Sequence, residues 1–319
     1  MNISLDEFGF EVSHGYNLEK LRAVDSPDCF DDFARFWQAA FEECRKSAPL
    51  PELRCTGGSH KGWKVFDLSY QSTNEVKIQA WALIPEKKVP KRAFVITHGY
   101  GGRECPDYHL SFQDSVLIFP CLRGLGKSRM KPFSDDPNWH VLHNIDNRDH
   151  YILRGCVEDV WQCVHSILQL FPYLESHIGY LGESFGGGIG ALALPWDNRI
   201  QLAHLCVPTF GNHPLRNALP CTGSGQSIQN HYKKVGDLIY KTLSYYDAAV
   251  AAKYIKIPVH CGLALVDPAV PSPGQFSIYN ALSCHKKEFL LDAGHYPYFG
   301  EAGQRKLMHQ DIEYFFKDL

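Results

Sequence analysis

Apolar residues along this chain fall into short runs whose period changes from one to the next. Residues 28–48, DCFDDFARFWQAAFEECRKSA, set Phe30, Phe33, Phe36, Trp37 and Phe41 at helical spacing, which predicts an N-terminal helix lying on the main body. Two strand-like runs follow, Trp63–Tyr70 and Val76–Ile84, and the QSTNE between them reads as a hairpin turn. Arg92–His98 (RAFVITH) is apolar through its middle, as a buried central strand must be, and Ser115–Phe119 repeats the pattern. Residues 125–154 are irregular and rich in Gly, Pro, Asp and Asn. Helical period returns over Cys156–Phe171, with Val157, Val160, Trp161, Val164, Ile167 and Leu168 on one face. Next comes HIGYLGESFGGGIGALALPW, His177–Trp196, a β-branched run, a sharp turn and a small-residue helix. Leu202–Val207, Ile257–Leu265 and Glu288–Leu291 supply further strands, and Gly303–Asp318 closes the chain as an amphipathic helix. Residues 209–245 are the least regular stretch and the candidate for a cap or an oligomer insert.

Strands alternating with helices predict an α/β fold, a doubly wound, mostly parallel sheet with helices on both faces. The expected organisation is a single domain over 1–319, with residues 1–60 as an N-terminal helical extension. In such sheets ligands bind at the carboxyl ends of the strands, so the loops leaving each strand are where chemistry belongs.

Charge and composition narrow the function classes. Formal net charge is −3 and no long basic run occurs, which argues against nucleic acid as a partner. The first twenty residues lack a basic start followed by an apolar stretch, so no secretory signal is expected. No segment approaches the ~18 apolar residues of a membrane-spanning helix. Eleven cysteines are scattered from Cys29 to Cys284 with no CxxC pair, which reads as reduced thiols in a cytoplasmic protein rather than a disulfide framework. The sixteen histidines form no HExxH motif and no Cys/His cluster at zinc spacing, so no metal is expected.

The turn at 182–186, Gly-Glu-Ser-Phe-Gly, fits G-x-S-x-G between strand and helix, the nucleophile elbow of α/β-hydrolases. Ser184 is the candidate nucleophile. After it, PVHCGLAL runs into Val266-Asp267-Pro268, and EFLLDAG runs into His295. The order Ser184, Asp267, His295 is that of α/β-hydrolases. His295 would act as general base and Asp267 would fix its tautomer. Asp292 is a rival carboxylate, read as structural because it sits three residues before the histidine on the same strand end. An oxyanion needs two donors. The N–H of Phe185 is one candidate, and Tyr100, in the loop His98-Gly99-Tyr100-Gly101-Gly102, supplies the other.

With these residues in place the chain resembles the acetyl xylan esterase/cephalosporin C deacetylase family (carbohydrate esterase family seven). The likeness rests on the HGYGG loop, Arg123-Gly124, DHYILRGCVED at 149–159, the elbow, KTLSYYDAAVAAKYIKIPV at 241–259 and GLALVDPAVPSPGQFSIYNAL at 262–282. The resemblance implies deacetylation of small acetylated compounds such as xylo-oligosaccharides, without metal or cofactor. It also implies an intracellular enzyme, often a hexamer. Three positions depart from the family pattern: Leu125, Phe185 and Tyr296 stand where the family carries polar residues. Phe185 with Leu125 nearby would make the site less polar. Arg123 reads as a brace behind the site. A peptidase or amidase, a longer-chain esterase on the same fold, and a catalytically silent binding relative remain the alternatives.

Overall fold

The computed structural model describes residues 5–319. Nine strands form one sheet: β1 (Glu52–His60), β2 (Trp63–Gln71), β3 (Lys77–Pro85), β4 (Arg92–Thr97), β5 (Ser115–Cys121), β6 (Ile178–Glu183), β7 (Ile200–Cys206), β8 (Val259–Ala264) and β9 (Lys286–Leu291). Their order across the sheet is β1-β2-β3-β5-β4-β6-β7-β8-β9. The first three strands form an antiparallel meander joined antiparallel to β5, and the remainder is parallel.

Successive side chains on the central strands point to opposite faces, and both faces are apolar. Ala93 and Val95 join Trp37, Trp161, Ile189 and Phe276 in the larger core, which the helices Phe33–Arg45, Ile152–Leu170, Phe185–Ala193 and Ser272–Ala281 cover. Phe94 and Ile96 face the other way, toward Met308, Ile312 and Phe316 at the C-terminal helix Glu301–Phe315. The second face is thinly covered, because residues 98–114, the connection from β4 to β5, form no helix. Phe112 from that connection stacks on Phe94 with ring centroids 4.3 Å apart. Higher up, a cavity of about 760 Å³ remains, lined among others by His98, Asp107, Glu183, Arg305 and His309.

Two expectations change. The stretch 1–60 is not helical throughout, since Glu52–His60 is the edge strand β1. Its sequence alternates nothing apolar because nearly all of it faces solvent. Residues 209–245 are largely helical, over His213–Ala218, Gly223–Val235 and Tyr240–Leu243. Pro214 sits in the first turn of its helix, where its missing N–H costs nothing.

Candidate active site

The turn after β6 concentrates backbone strain on one residue. Ser184 takes φ 54° and ψ −110°, a region costly for a residue with a Cβ. Tight packing holds it there. A Cβ on Gly182 would run into the Gly186 carbonyl, and one on Gly186 into the Thr97 hydroxyl. The Ser184 N–H donates to the Cys206 carbonyl (2.8 Å), and the Ser184 carbonyl accepts from Gly188 (3.0 Å) and Thr209 (3.1 Å). The hydroxyl is therefore fixed at the carboxyl edge of the sheet, with the residue 9% exposed.

Residues separated by the rest of the chain meet at that hydroxyl. The Ser184 hydroxyl lies 2.8 Å from His295 Nε2. On its other side His295 Nδ1 lies 2.7 Å from Asp267 Oδ2. The buried Asp267 accepts the backbone N–H groups of Ala269 and Val270 on Oδ1, each at 2.9 Å. Asp292 takes no part, its N–H donating instead to Gln304 Oε1 (3.0 Å). Burial penalises the charged imidazolium of His295, but the Asp267 charge and hydrogen bond, with Glu183 behind them, outweigh it and raise its pKa above 6.5.

Gln275, which the sequence pattern did not single out, completes the Asp267 environment. It is fully buried. Its amide nitrogen donates to Asp267 Oδ2 (3.0 Å) and the Val270 carbonyl (2.7 Å), and its oxygen accepts from the Ala264 N–H (3.0 Å). A flipped amide would oppose all three partners, so this orientation is the one the network permits. The sequence shows only a glutamine between Gly274 and Phe276, which nothing there marks as buried.

Across the serine, a Cβ on Gly99 would lie 3.8 Å from Ser184 Cβ, so the 98–102 loop lies against the nucleophile position. His98 Nδ1 donates to the Gly99 carbonyl (2.7 Å), while His98 Nε2 accepts from the Leu122 N–H (3.1 Å). Burial lowers the His98 pKa to about 4, keeping it neutral with the tautomer those bonds require. In a trans peptide the N–H points opposite to the carbonyl, so anchoring Gly99 O also sets the direction of the Tyr100 N–H. The Tyr100 ring stacks on Phe185 (4.2 Å), and its hydroxyl donates to His140 Nδ1 (3.0 Å).

The three departures from the family pattern now have places. Phe185 and Leu125 are 0% and 1% exposed. They pack behind the loop, Phe185 against the Tyr100 ring. Tyr296 points toward the N-terminal segment, its hydroxyl donating to Glu7 (2.6 Å). Arg123 is buried behind the site and forms a fork on Asp159, with Nη2–Oδ1 at 2.7 Å and Nε–Oδ1 at 3.1 Å. Burial works against its charge, but Asp159 holds its pKa above the ordinary value. Among the described residues no three His, Cys, Asp or Glu side chains gather as a metal site. No helix there is long and apolar enough to cross a membrane.

A parallel sheet with a serine on the strained turn leaving β6, and later strand ends converging on it, makes this chain an α/β-hydrolase. Within that class, a profile of the acetyl xylan esterase family matches residues 16–316. The chain belongs to that family and is a carboxylic ester hydrolase. Solved structures agree with the fold. Acetyl xylan esterase 1 from Thermoanaerobacterium sp. JW/SL YS485 superposes with a TM-score of 0.82 at 21% identity, covering 93% of this chain and 99% of that one. The acetyl xylan esterase from Paenibacillus sp. R4 gives 0.84 at 21%, covering 94% and 100%. The Pyrococcus horikoshii acylaminoacyl peptidase is more distant, at 0.61 and 16% over 81% of this chain and 42% of that one.

Proposed function

We propose that the protein is a serine esterase that removes short acyl groups, acetyl foremost, from small acetylated compounds such as sugar esters. The observation that carries this reading is one imidazole hydrogen-bonded at both nitrogens, to Ser184 and to Asp267. In that arrangement His295 takes the Ser184 proton as the oxygen attacks the ester carbonyl. The N–H groups of Phe185 and Tyr100 receive the developing oxyanion. Collapse of the intermediate breaks the bond to the alcohol, which leaves with the proton from His295, and Ser184 carries the acyl group. Water, deprotonated by His295, then releases the acid. Asp267 holds the tautomer and stabilises the imidazolium.

Hydrolysis of p-nitrophenyl esters from acetate to octanoate, beside an aminoacyl-nitroanilide, tests the reading. Acetate should be the best substrate, and Ser184→Ala should lower kcat by about a millionfold, the scale of removing the serine of such a triad. Anilide turnover would move the assignment to a peptidase, and a Ser184→Ala enzyme of unchanged rate would end it.

Location and assembly belong to the same reading. All eleven cysteines are unpaired thiols, seven of them buried, which suits a reducing cytoplasm. The assembly is a homo-oligomer, a hexamer by the family resemblance. Light scattering should give about six times the 36.2 kDa chain mass; a monomer mass refutes it.

A further inference from the structure

One buried charge lies beside this site without a counter-ion. Arg216, in the helix His213–Ala218, is 4% exposed. None of its guanidinium nitrogens meets a hydrogen-bond acceptor or carboxylate among the described residues, and Nε is sealed and unpaired. Burying a guanidinium is costly unless an anion compensates it. Burial accordingly pulls its pKa below the ordinary arginine value. The nearby acid is already committed: Asp247 accepts the N–H groups of Asn212, His213 and Ala249. Cys221 Sγ takes the Gln229 amide (3.4 Å).

The guanidinium sits among the residues that build the catalytic site. It lies over the Phe210 ring, 5.7 Å from the centroid, and Phe210 packs on Phe185 and Tyr100 with centroids 6.0 and 6.5 Å away. Phe210 follows Thr209, whose N–H holds the Ser184 carbonyl. On its other flanks are Gly274, next to Gln275, and Gly225, where an added Cβ would come within 3.1 Å of Nη2. The charge is thus set into the wall that joins the elbow, the oxyanion loop and the Asp267 loop.

We infer that Arg216 receives an oxyanionic group, carboxylate or phosphate, carried by the ester that Ser184 attacks. The inference rests on the esterase reading above and narrows its substrates to anionic esters. The planar fork of the guanidinium matches either oxyanion through two parallel N–H···O bonds. Such a contact would orient the ester and replace the missing counter-ion at the same time.

The test compares 4-acetoxybenzoate and 4-acetoxyphenyl phosphate with the neutral methyl 4-acetoxybenzoate, each rate corrected for its hydroxide-catalysed hydrolysis. Wild type should favour one anionic ester by tenfold or more in kcat/KM, and which one identifies the group. That ratio should fall toward one in Arg216→Gln and take an intermediate value in Arg216→Lys, which keeps the charge and loses the fork. A wild-type ratio near one overturns the inference, without reference to any variant. So does a high ratio that both variants retain. If Arg216→Gln does not fold, the wild-type and Arg216→Lys ratios decide. Ser184→Ala separates the two levels: if it still turns over any of these esters, the esterase site itself has been misassigned.

Discussion

At His295 two opposing influences act on one proton. Burial favours the neutral ring, while Asp267 favours the imidazolium and wins. A general base must be neutral to act, and this base holds its proton to a pH above the ordinary 6.5. Activity should therefore be full at alkaline pH and fall as pH drops through a value above 6.5. Asp267→Asn removes the charge, so the acid limb of kcat/KM should move to lower pH while kcat falls by about 10⁴-fold, as for triads of this kind. A profile flat from about pH 5 to 8 would count against His295 as base. The order of Ser184, Asp267 and His295 was legible in the sequence because each ends a recognisable strand. Gln275 and Arg216 were not, because their significance is burial. A glutamine within a helix and an arginine in an irregular stretch look solvated until neighbours close over them.

Elements behind the site act through one ion pair. Arg123 leaves the end of β5 and Asp159 sits in the helix Ile152–Leu170, both almost wholly buried. Asp159 also accepts the Arg123 backbone N–H (2.9 Å), and Arg123 Nη2 reaches the Ser72 and Thr73 hydroxyls, each at 3.0 Å. The fork thus ties the β5 loop, the long helix and the turn between β2 and β3 together. Arg123→Met should cost about 3–5 kcal/mol, because it leaves a buried carboxylate uncompensated. Adding Asp159→Leu should recover much of that loss, as urea denaturation would show; a single variant with the wild-type midpoint would refute the brace. Element existence was readable wherever the apolar period was strong. The helix expected from Cys156 begins at Ile152, since its first turn carries Arg154 and Gly155. β1 escaped notice because an exposed edge strand has no apolar face to advertise it.

Across the whole molecule, the fold class followed from alternation of strands and helices, but the distribution of material over the sheet did not. Among the described residues several helices crowd one face, and one long helix with a bare loop serves the other. The loop 98–114 gave no sign of this, since a short connection and a short helix read alike in a sequence. The sheet edge at β1 has a further consequence. Opposite Val65 of β2, β1 places three residues, Thr56, Gly57 and Gly58, before pairing resumes at Ser59, and the Thr56 hydroxyl donates to the Val65 carbonyl (2.7 Å). A kinked outer strand is a poor template for another strand. The irregularity therefore bears on how the protein behaves when concentrated: it denies neighbouring copies a straight row of free backbone groups on which fibrils could start. Deleting Gly57 and Gly58 would restore uninterrupted pairing, and the shortened protein should show thioflavin-positive aggregation at concentrations where the parent stays clear.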